Sequence, residues 1–121
     1  MSKKKIFIID DDKSFLNSME LVLHSKDFDV VKAVTGETLY DVLTKEKPDL
    51  ILLDIKLPGK DGFEILKEIK SNDKFSKIPI IMVTGDTTVH IDKAFSAGAD
   101  DCVFKPVNSA ELMSSMQRLI K

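Results

Sequence analysis

Polar residues that follow short apolar runs are the part of this sequence best suited to chemistry. Three acids at positions 10–12 follow the first run, Asp54 ends a later one, and Thr84 and Lys105 end the last two. Runs of this kind predict buried parallel strands, so the residues at their ends are expected to meet at one edge of a sheet. Ligands of open parallel sheets bind at that edge, which makes these residues the candidate site.

A cluster of carboxylates at this edge needs a neutralising partner. Two like charges about 4 Å apart repel by about 4 kcal/mol at an effective dielectric constant of 20. One aspartate is enough to cap a helix, and Asp12 is assigned that role. Asp10, Asp11 and Asp54 are therefore candidate ligands of a divalent cation. Because all the ligand atoms are oxygens, Mg²⁺ or Mn²⁺ is favoured over zinc.

The same set of side chains is suited to phosphoryl transfer. An aspartate can act as a nucleophile and form an aspartyl phosphate. The hydroxyl of Thr84 can donate a hydrogen bond to one phosphoryl oxygen, and the ammonium of Lys105 can pair with another. Acids, a hydroxyl and a lysine at four strand ends together predict a metal-assisted phosphoryl site.

The elements that must position these residues alternate between strands and helices. Five apolar runs predict strands, the second of them at a sheet edge: 6–9, 28–34, 50–53, 78–83 and 102–104. Helical spacing predicts a helix after each strand, with Phe15, Met19, Val22 and Leu23 facing the core in the first and only weak apolar character at 86–97. This alternation predicts one α/β domain over 1–121, a doubly wound three-layer sandwich.

Composition excludes several classes of function. The 121 residues carry a formal net charge of −2, so the chain has no basic excess with which to bind nucleic acid directly or to hold an anionic membrane. A single cysteine, Cys102, excludes an intramolecular disulfide and a multi-cysteine metal site. No apolar segment approaches the roughly 20 residues of a membrane span. We expect a soluble, cytoplasmic protein.

The sequence resembles the receiver domains of two-component response regulators, which are typified by the chemotaxis receiver CheY. Five motifs carry the resemblance, in family order and spacing over essentially the whole chain. They are IIDDD at 8–12, DLILLDIKLPGKDG at 49–62, MVTG at 82–85, GADD at 98–101 and KP at 105–106. Each motif is weak alone, but their combination is highly specific.

The resemblance implies a flavodoxin-like fold with five helices and a five-stranded parallel sheet in the order 2-1-3-4-5. It also implies that Asp54 is phosphorylated by a histidine kinase or a phosphotransfer protein, with Thr84 and Lys105 completing the catalytic set. The protein would then catalyse only its own phosphorylation and dephosphorylation and would not be an enzyme in the usual sense. Phosphorylation would alter the surface of the fourth helix, fifth strand and fifth helix, where a downstream protein binds. Whether a homodimer forms on phosphorylation is left open.

The resemblance also assigns the metal ligands and three backbone features. Mg²⁺ would be held by Asp10, Asp11, Asp54 and the backbone carbonyl of Lys56. A cis peptide is expected at Lys105–Pro106. Gly62 and Gly98 match turn positions where a side chain would interfere.

Two departures from the family pattern bear on regulation. Thr84 matches the switch hydroxyl, but Cys102 stands where many members carry an aromatic switch residue, which puts the coupling of the two in question. Lys56 and Asp86 match positions that tune hydrolysis of the phosphoryl group. We hypothesise that they pair across the site, hinder the attacking water and lengthen the phosphorylated lifetime, as in a phosphorelay. Loss of phosphate from a Lys56→Asn variant no faster than from wild type would exclude this.

Two other functions remain as alternatives. The first is a phosphatase of the haloacid dehalogenase type that uses Asp10 as nucleophile and Asp12 as acid, although it leaves Asp54 without a role. The second is a phosphorylation-independent adaptor. A flavodoxin is excluded because the acids at 10–12 would repel the phosphate of the flavin cofactor. Whether the domain stands alone or belongs to a longer regulator is left open.

Overall fold

A computed structural model describes residues 3–85 and 91–120 and contains a five-stranded parallel sheet. We number only the strands of this sheet. The strands are β1 (Lys5–Ile9), β2 (Asp29–Ala33), β3 (Leu50–Asp54), β4 (Ile80–Thr84) and β5 (Asp101–Phe104). The helices in the described ranges are α1 (Lys13–Ser25), α2 (Leu39–Glu46), α3 (Gly62–Lys70), α4 (Ile91–Ser96) and α5 (Ser109–Leu119). A two-residue antiparallel pair, Lys56–Leu57 with Lys60–Asp61, joins β3 to α3.

The spatial order of the strands is β2-β1-β3-β4-β5, which confirms the predicted doubly wound, flavodoxin-like sheet. After β1 the chain moves to one side of the sheet, and from β3 onward it moves to the other side. The order therefore reverses between β1 and β3. A crevice for a ligand opens at this point, beyond the carboxyl ends of the two strands.

Successive residues of each central strand face opposite sides of the sheet, and each side is covered by its own helices. Phe7 and Ile9 of β1 pack with α2, α3 and α4, whereas Ile6 and Ile8 pack with α1 and α5. Both sides of β3 and β4 are buried in the same way. This explains why these strands appear in the sequence as continuous apolar runs.

The strand and helix predictions differ from the structure in detail. The fourth strand begins at Ile80 because Pro79 has no N–H to donate to the ladder, although its carbonyl still accepts a hydrogen bond from Ile51 N at 3.0 Å. The fifth strand begins one residue earlier than predicted, at Asp101. The edge position of the second strand is confirmed. Of the weak helix predicted at 86–97, residues 86–90 lie outside the described ranges and Ile91–Ser96 is helical.

The predicted core stripe of α1 is only partly right. The buried residues are Leu16, Met19 and Leu23, whereas Phe15 and Val22 are half-buried at its edges. Asp12 caps this helix as expected: its side chain accepts a hydrogen bond from Phe15 N at 3.1 Å. No helix in the described part of the chain is long and apolar enough to span a membrane.

Candidate functional site

The register of the sheet brings the ends of β1 and β3 side by side. Ile9 pairs with Leu53, so Asp10 and Asp54 occupy equivalent positions on adjacent strands. Asp11 follows on the same edge, and one carboxylate oxygen from each of the three acids lies within 4.8 Å of the others. Parallel pairing therefore places Asp54 beside the adjacent pair Asp10 and Asp11, from which it is separated by more than forty residues in the sequence.

The register also brings Thr84 and Lys105 to this edge. Asp54 pairs with Val83, which places Thr84 one residue beyond it, and Thr84 pairs in turn with Phe104. Lys105 N donates a hydrogen bond to the Thr84 carbonyl at 2.9 Å. An open pocket of about 480 Å³ joins these residues and is lined by Asp11, Asp54, Lys56, Thr84, Gly85 and Lys105.

Asp54 is buried at the base of this pocket, with 7% of its surface exposed. The pKa of its carboxyl group is raised to about 6, chiefly by burial and secondly by the nearby charge of Asp10. Lys105 and the backbone N–H groups of Ile55 and Lys56 act in the opposite direction and lower that pKa. The carboxylate is thus ionised at neutral pH but destabilised by its surroundings.

Asp10 is even more deeply buried, at 1% exposure, and its two carboxylate oxygens have different partners. Oδ1 accepts a hydrogen bond from Asp12 N at 2.9 Å. Oδ2 lies 2.8 Å from Lys105 Nζ, close enough for an ion pair, but the two groups are not aligned for a hydrogen bond. Within the described ranges, Oδ2 is the one fully buried side-chain polar atom without a hydrogen bond.

This donor set fits a hard divalent cation. Asp10 and Asp54 are buried and Asp11 is exposed, so the cluster is closed toward the core and open toward solvent. An oxygen buried without a hydrogen-bond donor is costly, and coordination of a cation would remove that cost. Three carboxylates with room for water match the oxygen-rich, incompletely protein-bound coordination that Mg²⁺ prefers.

Two backbone features bring the loops close to the site. A Cβ atom on Gly62 would lie 2.2 Å from the Asp54 carbonyl oxygen and 2.7 Å from Ile55 Cα. Only glycine therefore allows α3 to begin against the end of β3, where Gly62 N donates to the Ile55 carbonyl at 2.6 Å. The Lys105–Pro106 peptide is cis, as the resemblance implied. Gly98, with a φ of +109°, lies away from the site, where an added Cβ would meet Lys70 Cγ at 2.9 Å.

The other predicted site residues lie at different places. Lys56 is exposed at the rim of the pocket, whereas Asp86 lies outside the described residues. Cys102 is half-buried in β5, where it pairs with Met82 in the ladder. Burial raises the pKa of its thiol, and the carboxylate of Asp101 adds to this effect. The pairing of Lys56 with Asp86 and the switch role of Cys102 therefore remain predictions.

One residue at the site was assigned wholly to the core by sequence reasoning. Phe15 packs partly against the apolar cluster beneath α1, but its ring also faces Lys105, whose Nζ lies 4.3 Å from the ring centroid. The available signal was its position in the first turn of α1, immediately after the acid loop. That position alone does not reveal that Lys105, which follows β5 and is ninety residues away in the sequence, lies over the Phe15 ring.

Comparison with known proteins assigns the family. A family model described as "Response regulator receiver domain" matches residues 6–117. A putative response regulator from Chloroflexus aurantiacus has a similar structure, with a TM-score of 0.89, 31% identity and coverage of 97% of each chain.

Two further solved structures support the same assignment. A CheY-like receiver domain protein from Methanospirillum hungatei aligns with a TM-score of 0.85 and 32% identity, covering 97% of this chain and 93% of the other. The BeF3-activated receiver domain of Klebsiella pneumoniae RstA aligns with a TM-score of 0.85 and 31% identity, covering 95% and 97%. The family model covers most of the chain, and the acids, the hydroxyl and the lysine lie together at one edge of the sheet. The chain therefore belongs to the response regulator receiver domains of two-component signalling.

Proposed function

We propose that Asp54 is the phosphoacceptor of this receiver and that it takes its phosphoryl group from a histidine kinase or a phosphotransfer protein. The observation that carries the proposal is the convergence of five side chains from four strand ends on one edge of the sheet, where Asp54 lies at the base of the pocket. Thr84 is buried, at 2% exposure, Lys105 is partly buried, and both line the same pocket as Asp54. The open side of the pocket admits a phosphoryl donor.

The chemical step is a substitution at phosphorus. A carboxylate oxygen of Asp54 forms the new P–O bond, and the bond from phosphorus to the donor's leaving group breaks, its electron pair departing with that group. The Thr84 hydroxyl donates a hydrogen bond to a phosphoryl oxygen, and the Lys105 ammonium pairs with another. When bound by Asp10, Asp11, Asp54 and the Lys56 carbonyl, Mg²⁺ supplies positive charge that offsets the carboxylates and the phosphoryl oxygens.

The output surface we propose is formed by α4, β5 and α5. Ile91 and Phe95 of α4 are 45% and 46% exposed, and they lie one helical turn apart on the same side. In the described part of α4 only Ala94 is buried, so little apolar packing holds the helix against the sheet. A phosphoryl group that draws Thr84 and Lys105 toward Asp54 acts on β4 and β5, which lie directly beside this helix. A downstream protein target would bind the altered surface of α4, β5 and α5.

Intact-mass measurement after incubation with acetyl phosphate and Mg²⁺ tests the phosphoacceptor. We expect wild type to gain the mass of one phosphoryl group and the Asp54→Asn variant to gain none. Asp12→Asn is the matched control, because asparagine still caps α1 and the variant removes a neighbouring carboxylate. It should be labelled like wild type.

Each contrary result points to a specific alternative. Equal labelling of wild type and Asp54→Asn would move the nucleophile elsewhere. If loss of labelling followed Asp12→Asn instead, the phosphatase alternative would be favoured. An unlabelled wild-type protein that also accepts nothing from a phosphorylated histidine kinase would favour the adaptor.

A thermal melt with increasing Mg²⁺ tests the metal site without phosphorylation. Binding to the folded state alone adds about 2.7 kcal/mol of stability at 100 times the dissociation constant. We therefore expect the Tm of wild type and Asp12→Asn to rise with Mg²⁺, and that of Asp11→Asn to rise much less. An equal rise in all three proteins would exclude Asp11 as a ligand.

A further inference from the structure

Four residues beside the pocket form a closed circuit of contacts. Asp10 Oδ1 accepts from Asp12 N, and Asp12 Oδ1 accepts from Phe15 N. Lys105 Nζ lies 4.3 Å from the centroid of the Phe15 ring, and the same nitrogen lies 2.8 Å from Asp10 Oδ2. The start of α1 and the lysine from β5 are thereby fixed to the same buried carboxylate.

The Phe15 ring lies at the edge of the buried face of α1 and packs only in part against the apolar cluster beneath that helix. The buried face of α1 is made by Leu16, Met19 and Leu23, and Phe15 stands beside it, half-buried. The cap fixes its backbone, because Phe15 N is the donor to Asp12. The face of its ring, which carries partial negative charge, is turned toward Lys105 Nζ and attracts that cation.

The Lys105 ammonium needs such a restraint. A lysine side chain has four rotatable bonds, and one held only by an ion pair to Asp10 can also swing toward the other acids of the cluster. With 21% of its side chain exposed, Lys105 is partly removed from water, where a cation–π contact is stronger than at the surface. The ring and Asp10 Oδ2 together define one position for the ammonium, on the Asp10 side of the pocket.

From this geometry we infer that Phe15 is a positioning residue for Lys105: its ring holds the ammonium at the Asp10 side of the pocket, from which it reaches the incoming phosphoryl group. The inference deepens the proposed function and rests on it for the effect on phosphoryl transfer. The contact itself is independent of that function and can be tested in the metal-free protein.

The first test detects the contact directly. In the NMR spectrum of the metal-free protein, the ε-methylene protons of Lys105 should be shifted upfield by the aromatic ring current. The Phe15→Leu substitution keeps an apolar side chain of similar reach but has no ring, so the upfield shift should disappear. Phe15→Tyr keeps the ring and should retain it. Equal Lys105 resonances in wild type and Phe15→Leu would overturn the inference.

The second test measures the consequence for transfer. We expect Phe15→Leu to slow labelling by acetyl phosphate about fivefold, which corresponds to about 1 kcal/mol, the usual size of such a contact. Phe15→Tyr should restore the wild-type rate. In a Lys105→Gln background, which labels more slowly throughout, Phe15→Leu should have no additional effect, because the ring then has no ammonium to hold.

The outcomes separate this inference from the proposed function. If Phe15→Leu slowed labelling equally with and without the Lys105 ammonium, the ring would act through packing, and the inference would be wrong while Asp54 remained the acceptor. If wild type took up no phosphoryl group by any route, the proposed function would fail. The NMR comparison would then still decide whether Phe15 holds Lys105.

Discussion

At the scale of single residues, burial changes what a carboxylate of the cluster can do. Asp54 stands at the end of a strand that is buried on both sides, and its pKa is raised from 3.8 to about 6, first by burial and then by Asp10. Asp11, by contrast, is exposed at the rim. In the proposed function, the same residue type would therefore supply a destabilised nucleophile at one position and a solvent-facing metal ligand at the other.

The raised pKa of Asp54 predicts how stability depends on pH in the absence of metal. The folded state binds this proton more tightly than the unfolded state, so stability is lost as the pH rises from about 4 to about 6. Above that range the ionised group costs about 3 kcal/mol, on the scale of 1.36 kcal/mol for each pKa unit. We expect metal-free Asp54→Asn to be more stable than wild type at neutral pH, with the difference vanishing near pH 4.

Urea unfolding in a chelator at several pH values measures this difference. Asp73→Asn is the matched control, because it neutralises an exposed carboxylate in the connection between α3 and β4. It should change stability little at any of these pH values. A gain for Asp54→Asn that did not vary with pH would contradict the prediction.

At the scale of elements, loops and helix starts decide how close the backbones approach at the site. α3 begins at Gly62, directly against the end of β3, and its cap Asp61 accepts from Phe63 N at 2.8 Å. Because a Cβ atom at Gly62 would meet backbone rather than a flexible side chain, nothing nearby can move aside cheaply. The position of this glycine fixes the distance between α3 and the Asp54 backbone.

A Gly62→Ala substitution should therefore damage both the fold and the site. Overpacking against backbone costs about 1 to 3 kcal/mol, and the displaced end of β3 would carry Asp54 with it. We expect a lower midpoint in urea together with slower labelling by acetyl phosphate.

Gly85→Ala is the control for this substitution, because among the described residues apart from its chain neighbours the nearest heavy atom to an added Cβ is Lys105 Cδ at 3.9 Å, an ordinary contact. Its stability should stay within about 0.5 kcal/mol of wild type. Equal stabilities for the two variants would show that the end of β3 can shift to make room for a Cβ atom at position 62.

At the scale of the whole molecule, one end of the sheet carries the candidate site, and the other end is held together by hydrogen bonds to a lysine. The carboxyl ends of the strands hold the acids, Thr84 and Lys105. At the opposite end, Lys70 Nζ donates to the carbonyls of Ser76 and Ile78 and to Asp100 Oδ2, at 3.3, 3.0 and 3.0 Å. Asp100 Oδ2 also accepts from Ile80 N at 2.9 Å, so one lysine ties α3 to the start of β4 and to the loop before β5.

Removal of this lysine should affect stability and leave the chemistry intact. We expect Lys70→Met to lower the free energy of unfolding by about 2 kcal/mol, because hydrogen bonds to a charged group are lost at a partly buried position. Its labelling rate, measured well below its Tm, should equal that of wild type.

Lys60→Met provides the comparison, since Lys60 forms an exposed ion pair with Glu68 at 2.7 Å. Such pairs contribute between 0 and about 1 kcal/mol. A Lys70→Met variant as stable as Lys60→Met would show that the network does not hold the opposite end of the sheet together.

The sequence by itself determined the strands, the fold class and the residues that gather at the sheet edge. These features are encoded locally: a strand buried on both sides requires a continuous apolar run, and the polar residue that ends the run lies at its carboxyl end. Asp54 at the end of 50–53 and the edge position of 28–34 follow from such patterns. The start of β4 at Ile80 and the burial of Leu16 in place of Phe15 were missed because both depend on which neighbours cover each position.

Only the tertiary structure decided which groups touch. The register between β1 and β3 sets Asp10 beside Asp54, and the pKa of Asp54 follows from that proximity and from burial. The contact of Phe15 with Lys105 joins α1 to β5 across ninety residues of sequence, and neither residue's local pattern contains it. Contacts of this kind depend on the order of the strands and on side-chain packing, which the whole chain determines together.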